Sequence, residues 1–199
     1  MTINSRQDEL KSALSNRLLV IDGAMGTAIQ NRDLGPDDFG GAEYEGCNEY
    51  LIITRPDVIE DIHRSYLEAG ADIIETDTFG STPVVLAEYD LAHEARRLNR
   101  DAAALARRVA EEYSTPDKPR FVAGSMGPTT KTISVTGGIT FEELAADYHT
   151  QAAGLIEGGV NLLLLETSQD TINVKAGLEG IDRAFVELGR EIPVAVQGT

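Results

Sequence analysis

The side chains with chemistry to offer gather just after short apolar runs. Asp22-Gly23 follows Leu18-Leu19-Val20-Ile21, and Glu75-Thr76-Asp77-Thr78-Phe79-Gly80 follows Ala71-Asp72-Ile73-Ile74. Gly124-Ser125-Met126-Gly127 follows Phe121-Val122-Ala123, and Glu166-Thr167-Ser168 follows four consecutive leucines, Leu162 to Leu165. Acids and glycines also end strands as ordinary turn and cap residues; that reading suits any one of these stretches and is weaker for all of them together. Glu166 is the sharpest case, because no turn residue separates it from the leucines and it stays within, or just at the end of, a buried strand. A carboxylate there needs a cationic partner, or its pKa rises until it is neutral. No Lys or Arg stands at the other strand ends, so the cation is expected from a ligand. The ammonium group of an amino acid is the simplest candidate, and Asp22 at the neighbouring strand end can share the role. The alternative is a Glu166 bonded to a helix N-terminus or to backbone amides. The Gly-rich turns at 23–27 and 124–127 offer amides to an anion but lack the lysine of a P-loop, so a ligand carboxylate fits them as well as a phosphate.

Other reactive types carry less. His63 and His93 fall on predicted helices and His149 beside a helix face, positions that read as exposed or capping histidines rather than ligands. Cys47, the single cysteine, lies in the loop segment Gly46-Cys47-Asn48-Glu49. It excludes an intrachain disulfide, and one thiolate cannot make a cysteine-rich zinc site, so no metal site is expected from these residues.

The elements that position these residues follow from periodicity. Leu18–Ile21 is an all-apolar run of the kind a parallel strand buried on both faces requires. Pro56 opens a helix with Val58, Ile59, Ile62, Tyr66 and Ala69 on one face and Gly70 closing it. Residues 91, 95, 98, 102, 105 and 109 form a second apolar stripe at helical spacing, ended by Pro116 and Pro119. Thr140 with Glu143 is a capping box that opens a third helix, running to Gly158-Gly159, and Val174, Leu178, Ile181, Phe185 and Leu188 mark a fourth, ended by Gly189. Strands are expected near 18–22, 71–76, 121–124, 160–166 and 192–196, in the order βαβαβαβαβ, after a polar helical lead-in over 1–17.

Two architectures accept that order: an open doubly wound sheet, or a (β/α)8 barrel. The open sheet binding a dinucleotide calls for G-x-G-x-x-G after the first strand, whereas Asp22-Gly23-Ala24-Met25-Gly26-Thr27 has two glycines and a leading acid. The barrel is favoured. A full barrel takes about 250 residues, so residues 18–199 are expected to be the N-terminal half of a (β/α)8 TIM barrel, about four and a half βα units, with helices on one side of the sheet.

Composition removes several classes of function. The net charge is −16, with 33 acidic against 17 basic side chains, and the arginines are dispersed among acids, so nucleic acid is not an expected partner. No window approaches the roughly 18 consecutive apolar residues of a membrane span, and residues 1–17 lack the apolar core of a secretory signal, so a cytoplasmic protein without a membrane partner is expected.

Five motifs in order resemble the homocysteine S-methyltransferase family, from about residue 17 to the last residue: Ile21-Asp22-Gly23-Ala24-Met25-Gly26-Thr27; Arg55-Pro56-Asp57-Val58; Glu68-Ala69-Gly70-Ala71-Asp72-Ile73-Ile74-Glu75-Thr76-Asp77-Thr78-Phe79-Gly80; Gly124-Ser125-Met126-Gly127-Pro128-Thr129; and Glu166-Thr167 with Asp170 and Lys175. The chain is most similar to the homocysteine-binding module at the N-terminus of the family's large cobalamin-dependent members. The resemblance implies a zinc-dependent barrel that works with folate-binding, cobalamin-binding and reactivation modules. In it, zinc holds the homocysteine thiol as a thiolate, which attacks a methyl group carried on cobalt and yields methionine. It also implies that the zinc-binding cysteines lie on later strands, so these 199 residues are expected to hold neither zinc nor cobalamin alone and to be incomplete for catalysis. The expected partners are homocysteine, the remaining barrel half and the other modules. Carried over by motif, Asp22, Gly23, Phe79 and Glu166 line the homocysteine pocket, with Glu166 on the amino group and the Gly-rich turns near the carboxylate. The alternatives are a stand-alone methyltransferase using betaine or S-methylmethionine, and a half-barrel assembly unit without catalysis.

Overall fold

Helix boundaries fall where local chemistry sets them. In a computed structural model, which describes residues 3–134 and 137–198, Pro56 takes the first turn of helix α4 (Pro56–Ala69), where its missing N–H costs nothing, and Gly70 ends it at φ 112°. Thr140 and Glu143 form the expected reciprocal box at the start of α7 (Phe141–Gly158), the Glu143 N–H donating to Thr140 Oγ1 at 3.3 Å and the Thr140 N–H to Glu143 Oε2 at 2.8 Å. Asp170 caps α8 (Thr171–Leu188) by accepting the Ile172 N–H at 2.8 Å. The apolar stripe expected over 91–113 forms α6 (Ala95–Tyr113), preceded by a 3-10 turn at Ala92–Glu94. The remaining helices are α1 (Ile3–Asn16), α2 (Met25–Gln30), α3 (Leu51–Thr54) and α5 (Pro83–Leu86).

Four strands, β1 (Ile73–Glu75), β2 (Phe121–Met126), β3 (Leu162–Ser168) and β4 (Val194–Gly198), form one parallel sheet in chain order. Ile74 stands opposite Val122, Ser125 opposite Leu164, and Leu164 opposite Ala195. Alternation divides the sheet into two faces. Ile74, Val122, Leu163 and Leu165 pack into the large core shared with α4, α6, α7 and α8, while Ile73, Phe121, Ala123, Leu162 and Leu164 form a second cluster on the other face. Parallel strands with each return helix on the same side make this the first half of a (β/α)8 barrel, as the alternation predicts. Gly154 and Gly158 let α7 lie directly on α6: a Cβ there would stand 2.4 Å from the Arg96 carbonyl and 2.3 Å from the Arg100 carbonyl.

The first expected strand differs. Residues 18–22 lie beside β1, with the Asp72 and Ile73 N–H groups donating to the Val20 carbonyl and the Asp22 N–H to the Ile73 carbonyl, yet they form only a single bridge, Ile21 to Ile73. Carboxylates take the flanking rungs: the Val20 N–H donates to Asp72 Oδ2 at 3.0 Å and the Glu75 N–H to both Asp22 oxygens at 3.1 Å. The segment is not buried on both faces, Leu18 being 92% exposed, because it sits at an edge of the sheet. β4 begins two residues later than expected because Pro193 has no N–H for the ladder; its carbonyl accepts from Leu163 at 2.9 Å instead. Helix α1 reaches the inner cluster at the amino ends of the strands, where Leu10 is buried against it. Gln7 donates to the Glu191 carbonyl at 2.9 Å and Arg6 to the Arg120 carbonyl at 3.4 Å, which fastens the helix there.

Candidate functional site

The carboxyl ends of the strands surround a cavity of about 310 Å³, within the range of small-molecule sites. Its walls come from Ala24-Met25-Gly26 after the first strand segment, Asn48 and Glu49 of the long loop, Glu75, Thr76, Asp77 and Phe79 after β1, Ser125 of β2 and Glu166 of β3. A buried hydroxyl belt fixes the floor. Thr76 Oγ1 and Thr78 Oγ1 are 2.6 Å apart, Thr78 Oγ1 donates to the Ser125 carbonyl at 2.7 Å, and the Ser125 N–H donates to Thr76 Oγ1 at 3.0 Å. Gln151 of α7 donates to the Thr78 carbonyl at 2.7 Å, so the belt is tied to the outer helices. Ser125 Oγ then donates to Glu166 Oε1 at 2.6 Å, which orients that carboxylate. Just beyond it, Thr167 adopts φ 55° and the β3–β4 register shifts between Leu165 and Ser168. A β-branched residue in the left-handed region is strained, and a bulge of this kind re-aims the neighbouring side chain.

The electrostatics are one-sided. Burial, opposed by the Glu75 N–H and reinforced by the charges of Glu75 and Glu166, pushes the Asp22 carboxyl up to about 8. Burial and the charge of Glu166 push Glu75 up to about 7. Deeper in, burial raises Glu49, whose Oε1 accepts the Gly80 N–H at 2.7 Å, and burial with the charge of Glu49 raises Asp77 well above the carboxylate range. Asp77 Oδ2 has no hydrogen-bond partner. Among the described residues, no Lys, Arg or His forms an ion pair with any of these five carboxyls, although such pairs are frequent over the rest of the surface. Arranged this way, the groups favour a cation that supplies N–H donors and displaces the protons that burial and mutual repulsion keep on them.

The homocysteine S-methyltransferase family model matches residues 19–199. The chain belongs to that family. It is 49% identical over 187 residues to methionine synthase of Mycobacterium tuberculosis, covering 94% of this chain and 15% of that protein. It is 47% identical over 191 residues to methionine synthase of Mycobacterium leprae, covering 96% of this chain and 16% of that protein. The chain thus spans about one sixth of the length of these relatives. Among solved structures, the homocysteine methyltransferase MmuM from Escherichia coli superposes in its oxidized form with a TM-score of 0.73 at 22% identity, over 93% of this chain and 63% of that one. Its metallated form gives 0.72, over 93% and 64%. At that identity the likeness is one of fold, and it agrees with the half-barrel.

In this homocysteine S-methyltransferase half-barrel, the residues singled out from sequence do not all take the same place. Glu166 and Phe79 line the cavity, the Phe79 ring being 43% exposed, and Glu166 is half-buried at the mouth rather than enclosed in a strand. Asp22 adjoins them through the Glu75 N–H but is not in the wall, and Gly23 is exposed and turned toward Tyr66, whose Oη would lie 3.1 Å from a Cβ added there. Gly127 holds Phe79 in position: its N–H donates to the Phe79 carbonyl at 3.0 Å, and a Cβ there would stand 2.7 Å from the ring. Sequence reasoning does not single out Glu49 or Asp77. The sequence signal for Glu49 is an acid set immediately before the apolar run Tyr50-Leu51-Ile52-Ile53, while Asp77 sits inside a stretch already marked as polar.

The zinc implied by the family finds no donor set in these residues. Cys47 is 1% exposed in a cluster with Leu86, Leu91, Ala95 and Leu98, and burial with the nearby Glu49 charge pushes its thiol up to about 12, the opposite of a thiolate ligand. Among the described residues no group of three or more His, Cys, Asp or Glu is placed to hold a metal ion. His63 is not an exposed or capping histidine: it is fully buried in α4 with neither ring nitrogen bonded, and burial pushes it down to about 4. His93 is exposed and His149 pairs with Glu187 at 2.6 Å, in keeping with their surface reading. No helix among the described residues is long and apolar enough to cross a membrane.

Proposed function

We propose that this chain is the homocysteine-binding part of a methyltransferase that converts homocysteine to methionine. The observation that carries the reading is the cavity ringed by carboxyls without a basic partner among the described residues. Glu166, oriented by Ser125 in the cavity wall, takes the ammonium group of the amino acid, and Asp22, behind the wall against the Glu75 amide, shares the role through its charge. Phe79 covers the aliphatic chain, and the amides of the Gly23–Thr27 turn serve the substrate carboxylate. An ammonium at this position also draws the protons off Asp22 and Glu75, so binding releases protons near neutral pH. The Thr76, Thr78 and Ser125 belt keeps the strand ends fixed while the substrate enters.

These residues orient the substrate; the chemistry at sulfur needs more. Cys47 does not fit a zinc site, so none of the roles assigned to these side chains runs through zinc. Zinc, together with the cobalamin that resemblance to the large family members implies as methyl carrier, is assigned to other parts of the complete enzyme, as are the folate-binding module and the second half of the barrel. The 47–49% identity to proteins named methionine synthase supports methionine as the product, while cobalamin as the donor, over betaine or S-methylmethionine, rests on the motif resemblance. A direct test compares binding of L-homocysteine with that of 4-mercaptobutanoic acid, which lacks the amino group, to the intact protein. The analogue is expected to bind at least about a hundredfold more weakly, the scale of a lost charge-assisted pair. Equal affinity would overturn the assignment.

A further inference from the structure

The opposite end of the sheet carries a second cavity, of about 270 Å³, enclosed by α1, the last turns of α6, the start of β2, the joint before β3 and the residue after Gly189. Its charge runs against that of the molecule. In a chain of net charge −16, Arg6, Arg107, Arg120 and Arg190 line this cavity, and the one acid in the wall, Glu111, is bonded to Arg107 Nε at 2.9 Å. Arg6 reaches Glu9 at 3.7 Å. Arg120 and Arg190 have no carboxylate partner among the described residues. Arg120 is 8% exposed; its Nη1 donates to the Ala71 carbonyl, but its Nε is buried without a partner. Arg190 donates Nη1 to the Ile156 carbonyl at 3.3 Å, and its Nε is likewise buried and unpartnered. Burial and the charge of Arg107 lower the Arg190 pKa, so the two guanidiniums repel each other across the space. Gly159, at φ 95°, leaves room for this: a Cβ there would stand 2.8 Å from Arg107 Nη1.

Arg120 is buried and Arg190 half-buried, and guanidinium donors enclosed without an acid are costly unless something supplies the counter-charge. Their forked N–H groups match the oxygens of an oxyanion, and with Arg6 and Arg107 already beside Glu9 and Glu111, the charge left without a carboxylate is that of Arg120 and Arg190, which a doubly charged phosphate balances and a single carboxylate does not. We propose that this cavity binds a phosphate-class oxyanion, either inorganic phosphate or the phosphate of a small monoester, on Arg120 and Arg190 with Arg107 and Arg6 closing the rim. Because Arg6 belongs to α1 and the others to the barrel wall, the bound anion clamps α1 against the amino ends of the strands, far from the carboxylate mouth.

The test uses the intact protein exchanged into a buffer free of phosphate and sulfate. Calorimetric titration with sodium phosphate and with glycerol phosphate is compared with chloride at matched ionic strength, in the wild type and in Arg190→Gln and Arg107→Gln. Saturable binding is expected, together with slower proteolysis at α1, and each variant is expected to lose at least tenfold in affinity while binding homocysteine as the wild type does. Tighter binding of the monoester assigns an organic phosphate, and tighter binding of phosphate assigns the free ion. Absence of binding beyond the chloride control, or variants that bind phosphate unchanged, would overturn the proposal.

Discussion

Replacing Glu166 by Gln separates the charge of this side chain from its shape. A glutamine Oε1 accepts the Ser125 hydroxyl as Glu166 Oε1 does at 2.6 Å, so the strand end and the belt beneath it are preserved. What disappears is the counter-charge proposed for the substrate ammonium. Breaking a buried charge pair costs about 3–5 kcal/mol; Glu166 is half-buried, which puts it at the lower limit, about 3 kcal/mol. The same substitution removes the Glu166 charge that helps hold protons on Asp22 and Glu75, so those groups ionise more readily and return part of the loss. The expected result is a homocysteine dissociation constant raised roughly a hundredfold at about 1.4 kcal/mol per factor of ten, with an unchanged unfolding midpoint. Titration calorimetry on the intact protein reads the first and thermal unfolding the second. A variant that binds homocysteine normally but melts early would show Glu166 to be a strand-end cap with no part in holding the ammonium.

Further outcomes follow from the same geometry. Asp22 keeps a proton in the folded protein up to about 8 that the unfolded chain gives up near 3.8, so stability present at low pH is lost as pH rises through that range. Between pH 5 and pH 8 the loss amounts to at most about 4 kcal/mol at about 1.4 kcal/mol per pH unit; Asp22→Asn should flatten the curve, and an identical pH slope in the variant would contradict the buried, proton-holding carboxyl. Cys47 should resist iodoacetamide at pH 8 in the native protein and react on unfolding, since its thiol is enclosed and pushed up to about 12; native alkylation at the rate of a free thiol would be inconsistent with that burial. Gly127→Ala sets a Cβ 2.7 Å from both the Phe79 ring and its carbonyl oxygen, and the backbone contact cannot yield cheaply. It should cost about 1–3 kcal/mol of stability and weaken homocysteine binding, whereas a variant indistinguishable from wild type would show that Phe79 is not held by this contact.

Local signals carried the repeating architecture: the Pro56 start, the Thr140–Glu143 box and the glycines at 70, 159 and 189 each act within a few residues, and the structure has them where periodicity puts them. Signals that depend on distant chain did not survive as well. The Leu18–Ile21 run reads as a fully buried strand, but burial depends on neighbours, and the carboxylates of Asp72 and Asp22 take the rungs that backbone would have filled. Leu10 lies in a polar lead-in whose role is visible only once the amino ends of the strands are assembled above it. His63 shows the same limit, since helical spacing puts it on α4 without saying that both faces of that helix near it are covered. Of the residues that line the cavity, Glu166 was conspicuous as an acid at the end of an apolar run and Phe79 came through the family motif, whereas Asp22, equally conspicuous, lies behind the wall. Glu49 was not, because the loop that carries it has no period and reaches the mouth only through its bond to the Gly80 amide.

An ammonium group that replaces protons on a ring of carboxyls leaves a direct thermodynamic signature. Isothermal titration of L-homocysteine into the intact protein, in buffers of differing ionisation enthalpy between pH 6 and pH 8, measures that exchange. With Asp22 near 8 and Glu75 near 7 in the free protein, binding should release protons at pH 7, and affinity should rise from pH 6 to pH 8. Binding without proton release, or affinity that is flat or falls with rising pH, would contradict it.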